Sequence, residues 1–514
     1  LSHNALDTMR DMSYQQRAVY VMGSYLDDFT SSELSSFAAK AYGGSKFDVK
    51  EVAPVRQVDG NTYCLELWHG PTCAFKDMAL QMLPHLLSAS LVKNQEEKTV
   101  CILVATSGDT GKAALEGFRD MDKTRILVFY PKDGVSAIQE LQMATQEGEN
   151  VGVCSVVGNF DDAQTGVKKL FSDESLREQL AGRGFFLSSA NSINWGRVLP
   201  QIVYYISAYC DLMRAERIRK GDKVNVCVPT GNFGNILAAC YAREMGVPIG
   251  RLICASNSNN VLTDFLRTGV YDRNRTFYNT MSPSMDILIS SNLERLLFAL
   301  TGHDDEQVRE YMGQLNQTGR YEVSPAIQDR LTRLFSAGFC DDAQTQKVIG
   351  RMWQEHHYLI DPHTAVAFDV LEQYRKETGD DTPAIVASTA SPFKFCDSVL
   401  APWASPSWRR APPSWISSPS SPASPVPRPA GRLRTSRCAS GRPSPATTWW
   451  IRCWRCCAEW PCLRLGTPTS PCPPTSPWTC SAAAGRGTWT SCAPALRQWG
   501  RRIRWCCAAI CPGA

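Results

Sequence analysis

Long apolar runs are missing from this sequence. No stretch reaches the ~18–20 consecutive apolar residues that a membrane-spanning helix needs, and the opening LSHNALDTMRDMS has neither the basic start nor the apolar middle of a secretory signal. A cytoplasmic enzyme with no membrane partner is therefore expected. The first residue is not Met, which suggests a chain whose beginning is missing. Histidine is scarce, seven in 514 residues, and the one C-x-x-C pair, Cys453 and Cys456, has no histidine in its segment, so no metal site is expected. Ten cysteines of the first 400 residues stand singly in apolar surroundings, which reads as buried thiols rather than a disulfide framework.

Residues 401–514 lack far more: they contain no Lys, Asp, Asn, His, Phe, Tyr or Met. Their 15 Arg against the single Glu459 give this stretch +14 and leave −10 for residues 1–400, so the overall +4 conceals two unlike populations. Holding 19 of the 31 Pro and 11 of the 14 Trp, the stretch does not have the composition of a folded domain. GC-rich coding DNA read in a wrong frame gives such a text, and a change of frame near residue 400 is the hypothesis that accounts for it. A basic, aromatic nucleic-acid arm and a metal or disulfide module are the alternatives, and no function or nucleic-acid partner is assigned to the stretch.

The first 400 residues are ordered differently. Tyr14 to Phe29 and Ser32 to Tyr42 carry apolar residues at helical spacing and predict an N-terminal helical lobe over residues 1–60. Beyond it, β-branched or aromatic runs predict strands at Thr99–Ala105, Arg125–Tyr130, Val151–Val157, Gly184–Leu187, Lys223–Pro229, Arg251–Ala255 and Ala384–Ser388. Helical stretches separate them, at Asp77–Val92, Gly111–Asp120, Ala137–Glu147, Phe160–Gln179 and Trp195–Ala215. Strands apolar on both faces and separated by helices imply parallel βαβ units. The expected class is α/β with two open, mostly parallel sheets and helices on both faces. Residues 61–98 and 196–400 would form a large domain and 99–195 a smaller one.

In such sheets chemistry sits in the loops beyond the carboxyl ends of strands, and four loops stand out. WHGPTCAFKD (68–77) delivers Lys76 where an apolar helix begins. The positive end of a helix dipole repels a cation there and should lower the amine's pKa, as an imine-forming lysine requires; a lysine reaching out to solvent is the alternative. VATSGDTGK (104–112) brings hydroxyls and backbone N–H groups to a helix start, a cradle for carboxylate or phosphate, although the spacing of a phosphate-binding P-loop fails. VPTGNFGNI (228–236) is a second cradle, where two glycines would let backbone wrap a phosphate, and no G-x-G-x-x-G accompanies it. ASTASPFK (387–394) offers the hydroxyls of Ser388 and Thr389 and the charge of Lys394. An activated amine, two anion cradles and a hydroxyl facing a ring nitrogen together fit pyridoxal 5'-phosphate.

HGPTCAFKD (69–77), TSGDTG (106–111), SSANSINWGR (188–197), PTGNFGN (229–235), DPHTAVA (361–367) and STASPFKF (388–395) together resemble, in order, the bacterial-type threonine synthases of the fold-type-II pyridoxal phosphate family. The resemblance spans about residues 1–400. It implies the tryptophan synthase β-like fold, with Lys76 bound to the cofactor beside Phe75. Gly231, Asn232, Phe233, Gly234 and Asn235 would hold the phosphate, and Thr389 would face the pyridine nitrogen. Ser107, Asp109 and Thr110 would meet the substrate carboxylate and the cofactor O3′ side, although Asp109 replaces the Asn of cysteine synthase relatives. Ser192, Asn194, Arg197 and Lys394 are the candidates for the substrate phosphate. His69 and His363 read as structural.

The implied reaction converts O-phospho-L-homoserine and water to L-threonine and phosphate, in a monomer or homodimer. A phospholyase or threonine or serine dehydratase on the same scaffold, and an inactive, misfolding-prone fragment, are the alternatives. The family also carries some tens of residues ahead of the point matching Leu1, and continues helically where this chain turns to Pro, Arg and Trp. Translating the encoding DNA beyond codon 400 in the other two forward frames should give acidic, helical, family-like sequence; if neither frame does, the frame-change hypothesis fails.

Overall fold

The computed structural model describes residues 4–403 apart from 133 and 159. The frame-change, nucleic-acid and metal readings of residues 404–514 lie outside the described residues. Two compact units are present: one contains the described residues up to Met82 and from Ser192 onward, the other Leu83–Asn191. The N-terminal helices thus belong to the first unit, and the chain crosses between units at Met82/Leu83 and Asn191/Ser192.

The first unit is built on β1 (Val55–Asp59), β2 (Thr62–Glu66), β7 (Val224–Pro229), β8 (Ile249–Ser256), β11 (Phe335–Phe339) and β12 (Ala384–Ser388). Their order is β1-β2-β12-β7-β8-β11, antiparallel only between β1 and β2. Every residue of β2, β7 and β12 is buried; this matches the apolar, β-branched text of β7 and β12, whereas β2 (TYCLE), which ends in Glu66, is a strand that the apolar runs did not predict. β1 and β11 are the edges, and their sequences are correspondingly mixed. A two-stranded antiparallel ribbon, β9 (Val270–Asp272) with β10 (Arg320–Glu322), adds a sheet that periodicity did not predict. The second unit has one parallel sheet in the order β5-β4-β3-β6, formed by β3 (Thr99–Ala105), β4 (Thr124–Pro131), β5 (Val151–Val156) and β6 (Phe185–Ser188).

The core of the first unit is formed by Cys64, Cys227, Ile253 and Val386 of the sheet, covered by Val348, Ile349, Val366, Val370 and Leu371 from the helices Asp342–His356 and Pro362–Thr378. Burial of each such side chain contributes roughly 1.5–3 kcal/mol before entropy is counted. The helix Trp195–Arg214 is buried along almost its whole length and packs on the helix Gly234–Glu244 and the N-terminal helices.

Three helix boundaries differ from expectation. The predicted Asp77–Val92 helix divides into Lys76–Leu80 and Leu83–Lys93, because Pro84 has no N–H to continue the earlier ladder and suits a first turn instead. The predicted Phe160–Gln179 helix breaks at Asp173, whose carboxylate accepts the N–H of Leu176 and starts Glu174–Ala181. The first long N-terminal helix ends at Gly23, not Phe29; Ser13 and Gln16 form the capping box at its start.

Arg17 ties that helix to the core. Its guanidinium is 2% exposed and donates to the carbonyls of Met9, Arg10 and Ser207, the Ser207 hydroxyl and the Asp211 carboxylate. Among the described residues no helix is long and apolar enough to cross a membrane. Replacing Arg17 with Met strands these buried acceptors; urea unfolding should show a loss of roughly 3 kcal/mol.

Candidate active site

The strand order places the carboxyl ends of β2, β12 and β7 side by side, and a loop leaves each. After β2, the Leu67 N–H donates to the Ser388 carbonyl and the Trp68 indole to the Ser388 hydroxyl, at 3.0 Å each. A Cβ on Gly70 would stand 2.6 Å from the Asp77 side chain, so only glycine lets the loop close. The Asp77 carboxylate, fully buried, accepts the Thr72 N–H at 2.8 Å and the Thr72 hydroxyl at 2.7 Å. Cys73 takes a left-handed φ of 59°, and Ala74 forms an isolated bridge with Ala390. The Phe75 N–H then donates to the Thr389 carbonyl at 2.8 Å and the Ser391 N–H to the Cys73 carbonyl at 3.0 Å. These bonds hold Lys76 beside the segment that follows β12. As expected, Lys76 is the first residue of a helix.

The Lys76 side chain is 8% exposed; its Nζ donates to the Ser284 hydroxyl at 3.3 Å and lies 4.6 Å from the centre of the Phe75 ring. Ser284 also touches the turn after β7. A Cβ on Gly231 would meet the Ser284 carbonyl oxygen at 2.5 Å, so the lysine and the glycine turn converge on one residue. The wrapping of this turn is achieved differently from the expectation of two conformationally free glycines: the left-handed residue is Phe233, φ 62°, with its ring buried against Phe335. The glycine at 231 serves close approach. The Asn232 carbonyl accepts from Asn292 Nδ2 at 3.0 Å, its amide oxygen from the Ser291 hydroxyl at 3.2 Å, and the Gly231 carbonyl from the Ser290 hydroxyl at 3.3 Å.

Gly234 and Asn235 open an eleven-residue helix. The Asn235 amide oxygen accepts from Tyr204 at 2.8 Å and from Tyr205, while its buried Nδ2 has no partner. A buried amide donor without an acceptor costs about 1–3 kcal/mol, and here it stands at a helix N-terminus, where an anion is favoured. Thr389, almost buried, follows β12. An amine, an anion cradle with a spare donor, and a hydroxyl fit an aldehyde cofactor bearing a phosphate and a ring nitrogen.

Of the other predicted residues in this unit, Ser192 shares a hydrogen bond with the Ser291 hydroxyl at 2.9 Å. Asn194 caps the helix Trp195–Arg214 by accepting the Gly196 N–H. Arg197 is fully buried, and burial lowers its pKa to about 10 despite the Tyr204 hydroxyl nearby. Lys394 is 2% exposed and donates to the Thr72 carbonyl at 3.0 Å, a use in bracing the Lys76 loop that the sequence did not suggest.

Ser107, Asp109 and Thr110 belong to the second unit, in the turn after β3. There the Thr106 hydroxyl accepts the N–H groups of Gly108 and Gly111, and buried Asp109 accepts from Gln139 Nε2 at 2.8 Å. The sequence reading missed Ser284, Ser290, Ser291 and Asn292. The signal available was SPSMDILISSN (282–292), a run of small polar residues just before an apolar helix.

Residues 49–327 match the family model described as pyridoxal-phosphate dependent enzyme. The chain belongs to this family. Among curated relatives of this pyridoxal-phosphate-dependent enzyme, the Homo sapiens protein named threonine synthase-like 1 is 43% identical over 380 residues, covering 73% of this chain and 50% of that protein. The chain thus spans about half the length of that relative. The threonine synthase of Pseudomonas aeruginosa is 39% identical, covering 76% of this chain and 78% of that one. The crystal structure of threonine synthase from Brucella melitensis with bound cofactor superposes with a TM-score of 0.71 at 38% identity, covering 78% and 83% of the two chains. The yeast threonine synthase structure gives 0.74 at 32%, covering 85% and 86%. The α/β, fold-type-II architecture with two mostly parallel sheets agrees with these structures.

In this family member His69, in the loop that leads to Lys76, is buried between two carboxylates. Its Nδ1 lies 2.6 Å from Asp48 and its Nε2 2.8 Å from Glu66, with the Trp68 ring stacked alongside. Burial alone would lower its pKa, but hydrogen bonds to Asp48 and Glu66 and their charges raise it from 6.5 to about 8. The raised value means that protonation favours the fold. This stabilisation is complete below the unfolded pKa of 6.5 and is lost as pH rises through about 8. Urea unfolding of the parent and His69→Gln should therefore differ by about 2 kcal/mol more at pH 6 than at pH 9.

Proposed function

We propose that this chain is a threonine synthase, converting O-phospho-L-homoserine and water to L-threonine and phosphate. The observation that carries the reading is the meeting of Lys76 and the Gly231 turn at Ser284, beside the Thr389 segment, at adjacent strand ends. When bound, pyridoxal 5'-phosphate supplies an electron-withdrawing ring that acidifies the hydrogen next to the substrate amino group.

The chain's own residues do the rest. The amides of Gly231–Asn235, with Asn235 Nδ2, would hold the cofactor phosphate at the helix N-terminus. The Thr389 hydroxyl would meet the ring nitrogen; an alcohol there would leave that nitrogen unprotonated, which suits elimination and replacement. Lys76 would hold the cofactor through its aldehyde carbon, and its amine, when free, would take the protons from substrate Cα and Cβ. The bond between Cγ and the phosphate oxygen breaks and water oxygen bonds to Cβ; the protons taken from Cα and Cβ return to Cα and Cγ, and the proton released by the water leaves on the phosphate, which balances the reaction. On the family motifs, Ser192, Asn194, Arg197 and Lys394 are assigned to the substrate phosphate, Ser107 and Thr110 to the substrate carboxylate, and Asp109 to the cofactor O3′ side.

A phospholyase or dehydratase activity is the second reading, favoured by the 43% identity to a protein whose name stops at threonine synthase-like. Offering O-phosphohomoserine, O-phosphothreonine and threonine separately, and assaying threonine against 2-oxobutyrate, decides between them: threonine formed from the first alone supports the synthase, and 2-oxobutyrate as the main product overturns it. Lys76→Ala should lower turnover at least ~10³-fold and abolish borohydride-trapped attachment of the cofactor.

A further inference from the structure

We propose that Ser284 is a positioning residue for the Lys76 amine, and that Asp361 and His363 hold Ser284 in place; the proposal rests on the assignment of Lys76 above. Ser284 lies in the single helical turn Pro283–Met285, and each of its polar groups has a separate task. Its hydroxyl accepts from Lys76 Nζ at 3.3 Å, its N–H donates to His363 Nε2 at 3.2 Å, and its carbonyl oxygen fills the space that a Cβ on Gly231 would need.

Behind it, His363 Nδ1 lies 2.7 Å from Asp361 Oδ1. Asp361 is wholly buried and also accepts the His363 N–H at 2.9 Å and the Thr364 hydroxyl. An ionised carboxylate can only accept, so the ring carries its proton on Nδ1 and presents the Nε2 lone pair to Ser284. The opposite tautomer, or an imidazolium, would set one N–H against another.

The choice of a hydroxyl has a physical reason. A lysine side chain held in one rotamer loses roughly 2 kcal/mol of entropy, so an acceptor that holds the amine beforehand lowers the cost of reaching its target. A carboxylate in that place would favour the ammonium form. A hydroxyl accepts from an ammonium and donates to a neutral amine, so it can follow Lys76 through both states. The turn is kept rigid by Asp286, whose carboxylate accepts from Asn257, Asn259 and Thr280.

The test uses the full chain and two probes. Pyridoxine 5'-phosphate has no aldehyde and reports phosphate anchoring. Pyridoxal 5'-phosphate, quenched with borohydride at timed intervals and located by peptide mass spectrometry, reports capture by Lys76. Ser284→Ala should slow capture roughly tenfold or more, the usual worth of a hydrogen bond to a charged group, while pyridoxine phosphate affinity and the urea midpoint stay within about twofold and within error. Ser284→Thr should recover most of the rate. Asp361→Ala, which removes the acceptor that fixes the proton on Nδ1, should slow capture, whereas His363→Gln, which keeps an acceptor for the Ser284 N–H, should not.

Capture at the parent rate in Ser284→Ala, or an equal loss of pyridoxine phosphate binding, overturns the positioning role. Normal capture in Asp361→Ala overturns the part given to Asp361 and His363. Trapping of the parent enzyme at a different lysine overturns the Lys76 assignment itself, an outcome distinct from both.

Discussion

Strand β12 pairs in parallel with β2 on one side and β7 on the other, and the candidate site of the first unit hangs from that double pairing. Glu66 is in register with Ser388, and Val386 faces both Cys64 and Cys227. Because parallel strands end on the same side of a sheet, this registry brings three loops from distant parts of the sequence to one edge. Backbone hydrogen bonds from Phe75 to Thr389 and from Ser391 to Cys73 then fix the lysine loop before any side chain is considered.

Around that frame, the buried charged groups are met by hydrogen bonds. The Asp77 carboxylate accepts the N–H and hydroxyl of Thr72, Asp361 accepts from His363 and Thr364, and His69 lies between two carboxylates. Removing ions from water is expensive unless their hydrogen-bonding capacity is met. These clusters gather at the strand ends, where they fix the loops in one conformation. The Asn235 amide departs from the pattern with a buried donor left over, which a bound phosphate would satisfy.

Parallel strands were legible in their buried runs, since Val, Ile and Cys in succession have no polar face to offer solvent. The edge strands β1 (VRQVD) and β11 (FSAGF) and the internal β2 (TYCLE) were not: they mix polar, small and aromatic residues, and only their neighbours make them strands. Helix ends were misjudged where a local competitor won, Pro84 and Asp173 being cases in which one side chain outweighed a continuous apolar period. Of the site, Lys76, the Gly231–Asn235 turn and Thr389 were readable from loop chemistry and family motifs. Ser284 was not, because its importance lies in what its backbone N–H and carbonyl touch, and residue identity does not encode that.

The sequence alone determined the class of the fold and the helix starts that follow β3 and β7, and it singled out Lys76 and the two glycine-containing turns as candidates, because periodicity, dipoles and hydroxyl spacing are local properties. Tertiary structure decided that β12 stands between β2 and β7, that Lys394 turns inward to a carbonyl, and that Asp361, His363 and Ser284 form a chain ending at Lys76. Those are contacts between residues far apart in sequence, set by the order in which the strands pair, and no local signal carries that order.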